Sequence, residues 1–285
     1  MKLIARAYDY IATWWDSSFT PRVASTILLL IFLGSLLVVF VTRQVEWLES
    51  MKLFAGLSYF DAVNISFTAL LIYEVLGLIF VLPESVADSV GKQFEILSIV
   101  LLRSAFKEFS HFSLPIYLDK ENVTEILPML ADIFGALLIF LIIGFYYHRQ
   151  KHERITRNEK EQQRFIDFKK LLALGLLVAF LVLGFVDLRD MAESGNYEDS
   201  LHSFYVLLIF TDVLILLYSI RYHSRYINLF RYSSFTFATV LIRLALSSTS
   251  YLNALIGILA GIFVLGVTIV YNYFRKVYDD ELASL

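Results

Sequence analysis

Two stretches of this chain, 138 residues apart, spell the same membrane unit, and that internal duplication limits the fold more than any other feature. The first reads LLIYEVLGLI (Leu70 to Ile79) and then SIVLLRSAF (Ser98 to Phe106). The second reads LLIFTDVLILL (Leu207 to Leu217) and then ATVLIRLAL (Ala238 to Leu246). An acid and a later arginine thus recur inside otherwise apolar segments: Glu74 with Arg103, 29 residues apart, and Asp212 with Arg243, 31 apart. A repeat of this size implies that each half builds the same group of elements.

Composition identifies the solvent of those elements. The chain is 58% hydrophobic and 18% charged, with a mean hydropathy of +0.66. Soluble domains carry about a quarter charged residues, so an integral membrane protein is expected. A net charge of −3 leaves no dense basic face for nucleic acid. With no cysteine, disulfides, thiolate metal sites and thiol nucleophiles are excluded.

Apolar runs long enough to span a bilayer fall at 23–42, 60–82, 94–109, 126–147, 171–187, 203–220, 232–248 and 252–274. This predicts an all-α membrane protein of about eight transmembrane helices in two parallel four-helix repeats. Residues 1–22 mix Trp14 and Trp15 with charges and predict an amphipathic, interfacial N-terminal helix rather than a cleavable signal. The first repeat then covers 23–147, a charged linker 148–170, and the second repeat 171–285. The linker mixes signs without an apolar stripe, so the fourth or fifth helix should extend into it as a solvated helix. With the N-terminus in the cytoplasm, seventeen basic residues fall on inner segments and five (Arg43, Lys52, Lys107, Lys120, Arg189) on outer ones. That bias predicts a multi-pass protein with both termini and the linker cytoplasmic. An even number of helices per repeat gives both repeats one orientation.

A charge near the bilayer centre costs about 2.5–3.5 kcal/mol on insertion scales, so such groups turn inward and find partners. Helix rise puts each acid about 12 Å and each arginine about 15 Å from the cytoplasmic end of its span. One ion-pair staple per repeat is therefore expected, Glu74 with Arg103 and Asp212 with Arg243, each bidentate and locking the register of its helices. The sharper alternative is a charge-transfer or voltage-sensing element, although a gating helix needs several arginines and each helix here has one. Asp132 is a further candidate buried polar group. It either shares Arg103 with Glu74 or sits at the outer water boundary, the preferred placement. Asn253 is its nearest counterpart in the second repeat.

Sites of other kinds are weakly indicated. His148 and His152 are four residues apart, but no third ligand has suitable spacing, and a solvated face is the expected reading. Glycine-rich phosphate loops, serine elbows and HExxH motifs are missing from the sequence. No catalytic residue, cofactor or metal is expected.

The second repeat resembles the PsiE family of small bacterial inner-membrane proteins, through LIFTDVLILL, NLFRYSSFTFATVLIRLAL (Asn228 to Leu246) and LNALIGILAGIFVLGVTIVYNYF. The first is similar to it at STILLLIFLGSLLVVFVTRQVEWLESMKLF (Ser25 to Phe54), LLIYEVLGLI and IVLLRSAF. The resemblance implies a four-helix unit, here present twice, in a bacterial inner membrane. It also implies an acid where this chain has Asn253, and it implies no enzymatic activity or ligand. The expected function is that of a non-enzymatic accessory or stress-response membrane protein acting through protein interactions, with phosphate starvation as one trigger. Its expected partners are the lipid bilayer and other membrane proteins or a second copy of the chain. The alternative is an ion or proton channel or transporter with its path between the repeats.

Overall fold

The computed structural model describes residues 2–44, 59–109, 120–150, 159–194, 201–222, 226–249 and 251–283. Nine α-helices lie among the described residues: α1 Lys2–Trp15, α2 Phe19–Gln44, α3 Tyr59–Val81, α4 Val86–Phe109, α5 Lys120–Arg149, α6 Glu159–Ser194, α7 Leu201–Ser219, α8 Tyr226–Leu246 and α9 Leu252–Ala283. A 3-10 turn, Ile220–Tyr222, continues α7. Seven of them, α2, α3 and α5 to α9, are long and apolar enough to cross a membrane. The chain is an all-α, multi-pass membrane protein, as a medium without hydrogen-bonding groups requires of elements that satisfy their own backbone. α4 falls short on composition, since it carries Asp88, Lys92, Glu95, Arg103, Lys107 and Glu108.

Ring and hydrogen-bond contacts give the directions of successive helices. Arg43 at the end of α2 lies over Tyr59 at the start of α3. Tyr146 near the end of α5 donates to the carbonyl of Ala87 in the first turn of α4, at 2.7 Å. Phe180 packs on Phe204, Phe165 on Tyr218, and Arg231 on Tyr271. The helices α2 to α9 therefore alternate in direction. One end of the bundle, here the linker end, carries α1, the α3–α4 turn, the start of α6 and the end of α9. The other is the far end.

The core has two parts. In the centre, α4, α5, α8 and α9 pack together, and their buried positions recur at spacings of three and four: Ala87, Val90, Phe94, Leu97 and Leu101 on α4; Asp132, Ala136, Ile139, Ile143 and Tyr146 on α5; Phe235, Ala238, Ile242 and Ala245 on α8. That period is the one at which the side chains of near-parallel helices interlock. Close approach follows from small residues, since a Cβ on Gly135 would sit 2.6 Å from the Cβ of Ala254. Beside this bundle, α1, α3, α6 and α7 form the second cluster around Val75, Leu78, Ile79, Phe165, Leu176, Phe204 and Leu208. The outer faces stay apolar and exposed, as Phe134, Leu137, Phe140, Leu141 and Phe145 do on α5, which marks the lipid-facing surface.

Several boundaries depart from the sequence expectation, each for a local reason. α4 begins at Val86 rather than 94, because Ser85 caps it: its hydroxyl accepts the amide of Asp88 at 3.1 Å and donates to the Asp88 carboxylate at 2.5 Å. α6 extends into the linker back to Glu159, as expected, but the 159–170 stretch is not wholly solvated. Phe165 is buried, and its contacts continue down one face through Lys169, Leu172 and Leu176. α1 is held by more than headgroups. Tyr8 donates to the carbonyl of Phe80 at 2.9 Å, Trp15 stacks on Tyr73 and Phe80, and Asp9 meets Lys170 at 2.6 Å, while Trp14 stays exposed.

Candidate functional site

The apolar interior leaves few places for charge, so the buried ionisable groups are the candidate site. In the second half of the chain, α7 and α8 bring Asp212 and Arg243 together: Nε of Arg243 donates to Oδ2 of Asp212 at 3.0 Å. Arg243 is 0% exposed and Asp212 7%. The contact is single rather than bidentate. Nη1 and Nη2 of Arg243 are buried with no acceptor among the described residues.

The first half does not repeat this arrangement, which corrects the expected staple between Glu74 and Arg103. Nη1 of Arg103 donates instead to the backbone carbonyl of Phe67 at 2.9 Å. Phe67 lies seven residues from Glu74 on α3, a rise of about 10 Å, so Arg103 and Glu74 sit at different depths. Both carboxylate oxygens of Glu74 are buried and have no donor among the described residues. Glu74 feels Arg103 only through space, and Tyr205 is a second polar neighbour of that arginine.

The difference traces to the connections. α3 turns directly into α4 through Leu82 to Ser85, whereas α7 continues through the 3-10 turn before α8 begins at Tyr226. The acid-to-arginine path is accordingly two residues longer in the second couple, 31 against 29. Helix length before the arginine is not the difference, since Arg103 lies 17 residues after the start of α4 and Arg243 17 after the start of α8, about 26 Å along each axis.

Asp132 is 0% exposed, in the seam of α5 that faces the central bundle. Asn253 is 7% exposed, and its Oδ1 accepts the amide of Ala254 at 2.6 Å. The two flank the Gly135–Ala254 approach toward the far end, where Asn253 also lines a cavity of about 430 Å³ with Ser104, Lys107, Pro128 and Tyr251. His148 is exposed, and His152 lies outside the described residues. Among the described residues no three His, Asp or Glu side chains converge.

Two buried cations at the linker end escape the sequence reading, which counts them as loop charges. Lys169 is 3% exposed and donates through Nζ to the carbonyl of Glu84. Arg231 is 8% exposed and stacks against Tyr271 and Phe235. The available signal is spacing, because Lys169 falls on the same helical face as Phe165, Leu172 and Leu176. Comparison with known proteins finds no matching family model, no matching curated protein and no matching solved structure.

Proposed function

We propose that this chain is a non-enzymatic protein of the bacterial inner membrane, built from two PsiE-like four-helix repeats. It serves as an accessory or stress-response component by binding other membrane proteins or a second copy of itself. The observation that carries this reading is that the arginine of each acid–arginine couple has a partner within the fold. Arg243 is held by Asp212 at 3.0 Å and Arg103 by the carbonyl of Phe67 at 2.9 Å, an arrangement that orders helices and does not present charge to a passing ion.

The proposal includes eight crossings, with both termini and the linker in the cytoplasm. The alternating directions of α2 to α9, the burial of Val90, Phe94, Leu97 and Leu101 on α4 and the basic bias of the linker-end segments support it. One observation favours the alternative reading, a proton or cation path: the Glu74 carboxylate is buried without a donor. Flux from reconstituted vesicles separates the two. The expected result is no proton or cation current above that of empty vesicles. A pH-dependent current that Glu74→Gln or Asp212→Asn abolishes in folded protein would replace the accessory reading with the path.

A further inference from the structure

At the linker end a cavity of about 250 Å³ opens between α6, α8, α9 and the turn joining α3 to α4. Two cations withdrawn from solvent, Lys169 and Arg231, line it. Removing a cation from water costs several kcal/mol unless its surroundings compensate, and here both cations stand beside one void. Lys169 uses one of its three ammonium protons on the carbonyl of Glu84. The guanidinium carbon of Arg231 lies 4.4 Å from the centre of the Tyr271 ring and 5.2 Å from that of Phe235. Such stacking holds the flat faces and directs the N–H groups edgewise. Asn228 accepts the Tyr271 hydroxyl at 3.1 Å, which leaves its amide nitrogen as another donor.

The same void also has acceptors, the Glu84 carboxylate and Oε1 of Gln162, which is buried without a donor among the described residues. This mixture disfavours a bare dianion, which Glu84 would repel. It suits a monoanion that brings its own hydroxyls. The volume lies below the roughly 300–1,000 Å³ of drug-sized pockets and fits one polar headgroup.

We propose that this cavity binds a phosphodiester bearing a hydroxylated substituent, presented as the headgroup of an anionic phospholipid. The phosphate oxygens take the donors of Lys169 and Arg231, and the hydroxyls donate to Gln162 and Glu84. A lipid source fits the position, at the end of the bundle where α6 and α8 leave their apolar stretches. The assignment does not depend on the function proposed above.

The test uses the full chain in phosphatidylcholine nanodiscs with and without phosphatidylglycerol. Thermal unfolding and the lipid retained after detergent transfer, seen by native mass spectrometry, are the readouts. Retention of phosphatidylglycerol over phosphatidylcholine is expected, weakened about tenfold or more by Lys169→Gln and Arg231→Gln. Arg221→Gln, which removes an exposed cation outside the cavity, should leave retention unchanged. Gln162→Glu changes a half-buried side chain, so the fold is kept while a carboxylate enters the void, and retention should again fall. Glycerophosphoglycerol, the free diester headgroup with the same single charge, and inorganic phosphate, added to phosphatidylcholine nanodiscs, are expected not to stabilise the protein. Stabilisation by glycerophosphoglycerol that depends on Arg231 would overturn the lipid source. Retention indifferent to both Arg231→Gln and Gln162→Glu would overturn the site.

Discussion

At the residue scale, two acid–arginine couples that look alike in sequence differ in structure, and double-mutant cycles should expose the difference. Removing Arg243 leaves Asp212 buried and alone, so Arg243→Leu and Asp212→Leu should each cost about 3–5 kcal/mol, with much of that recovered in the double variant. The coupling energy, read from unfolding midpoints in detergent, should reach about 1–3 kcal/mol. For Glu74 and Arg103 the coupling should stay below about 0.5 kcal/mol, because their depths differ. Equal coupling in both couples would contradict the geometry. A second residue-scale prediction concerns Glu84. Its carboxyl is held above the ordinary range by partial burial, opposed by Lys92, with Asp88 and Asp16 adding to the rise and Lys169 opposing it. A raised folded-state value means stability that is full at acid pH and lost as pH climbs through that value. Glu84→Gln should therefore leave the unfolding midpoint unchanged in acid and raise it slightly at neutral pH, screening keeping the gain small. Of this chemistry, the Asp212–Arg243 contact is legible from two charges in apolar runs. The divergence of Glu74 from Arg103 is not, since no apolar pattern shows that Arg103 turns to the Phe67 carbonyl.

At the element scale, the four central helices are set by small residues as much as by large ones. A Cβ on Gly135 would meet the Cβ of Ala254 at 2.6 Å and its Cα at 3.3 Å, and backbone cannot step aside as a side-chain tip can. Gly135→Ala should push α5 from α9 and lower stability by about 1–3 kcal/mol. Gly144, on the same helix, meets nothing within 4 Å. Gly144→Ala should be neutral or stabilising by up to about 1 kcal/mol, because it gains helix propensity without a clash. Thermal melts of the two variants in one detergent compare them directly, and equal effects would mean that the α5–α9 contact is not close packed. The helices themselves are readable from apolar runs, because a bilayer leaves long helices as the solution. Their ends are less so. The polar first turns of α4 and the buried face of α6 around Phe165 and Lys169 are fixed by a cap and by tertiary packing, which hydropathy does not register.

At the scale of the whole molecule, the open question of parity rests on α4. Seven helices are apolar enough to cross a membrane, and α4 carries six charged residues that an insertion scale penalises. Its charges are not spread evenly, however. Asp88, Lys92 and Glu95 lie in the first three turns, and Lys107 and Glu108 at the last. Between them Ile96 to Leu102 is apolar apart from Ser98, with Leu97 and Leu101 buried against the central bundle. Arg103 is matched by the Phe67 carbonyl. A helix charged at both ends and apolar between them, packed antiparallel to α5, has the distribution of a span shielded by its neighbours. The sequence likeness of SIVLLRSAF on α4 to ATVLIRLAL on α8 argues the same way, since α8 is among the seven. The consequence is one of sides: with eight crossings Arg6 on α1 and Lys276 at the end of α9 share a face of the membrane, and with seven they do not. Both side chains are exposed, and the chain has no native cysteine to confuse labelling. Arg6→Cys and Lys276→Cys should react with an impermeant maleimide from the same side and Lys107→Cys from the opposite one. Labelling of Arg6→Cys and Lys276→Cys from opposite sides would remove α4 from the membrane and with it the equivalence of the two repeats.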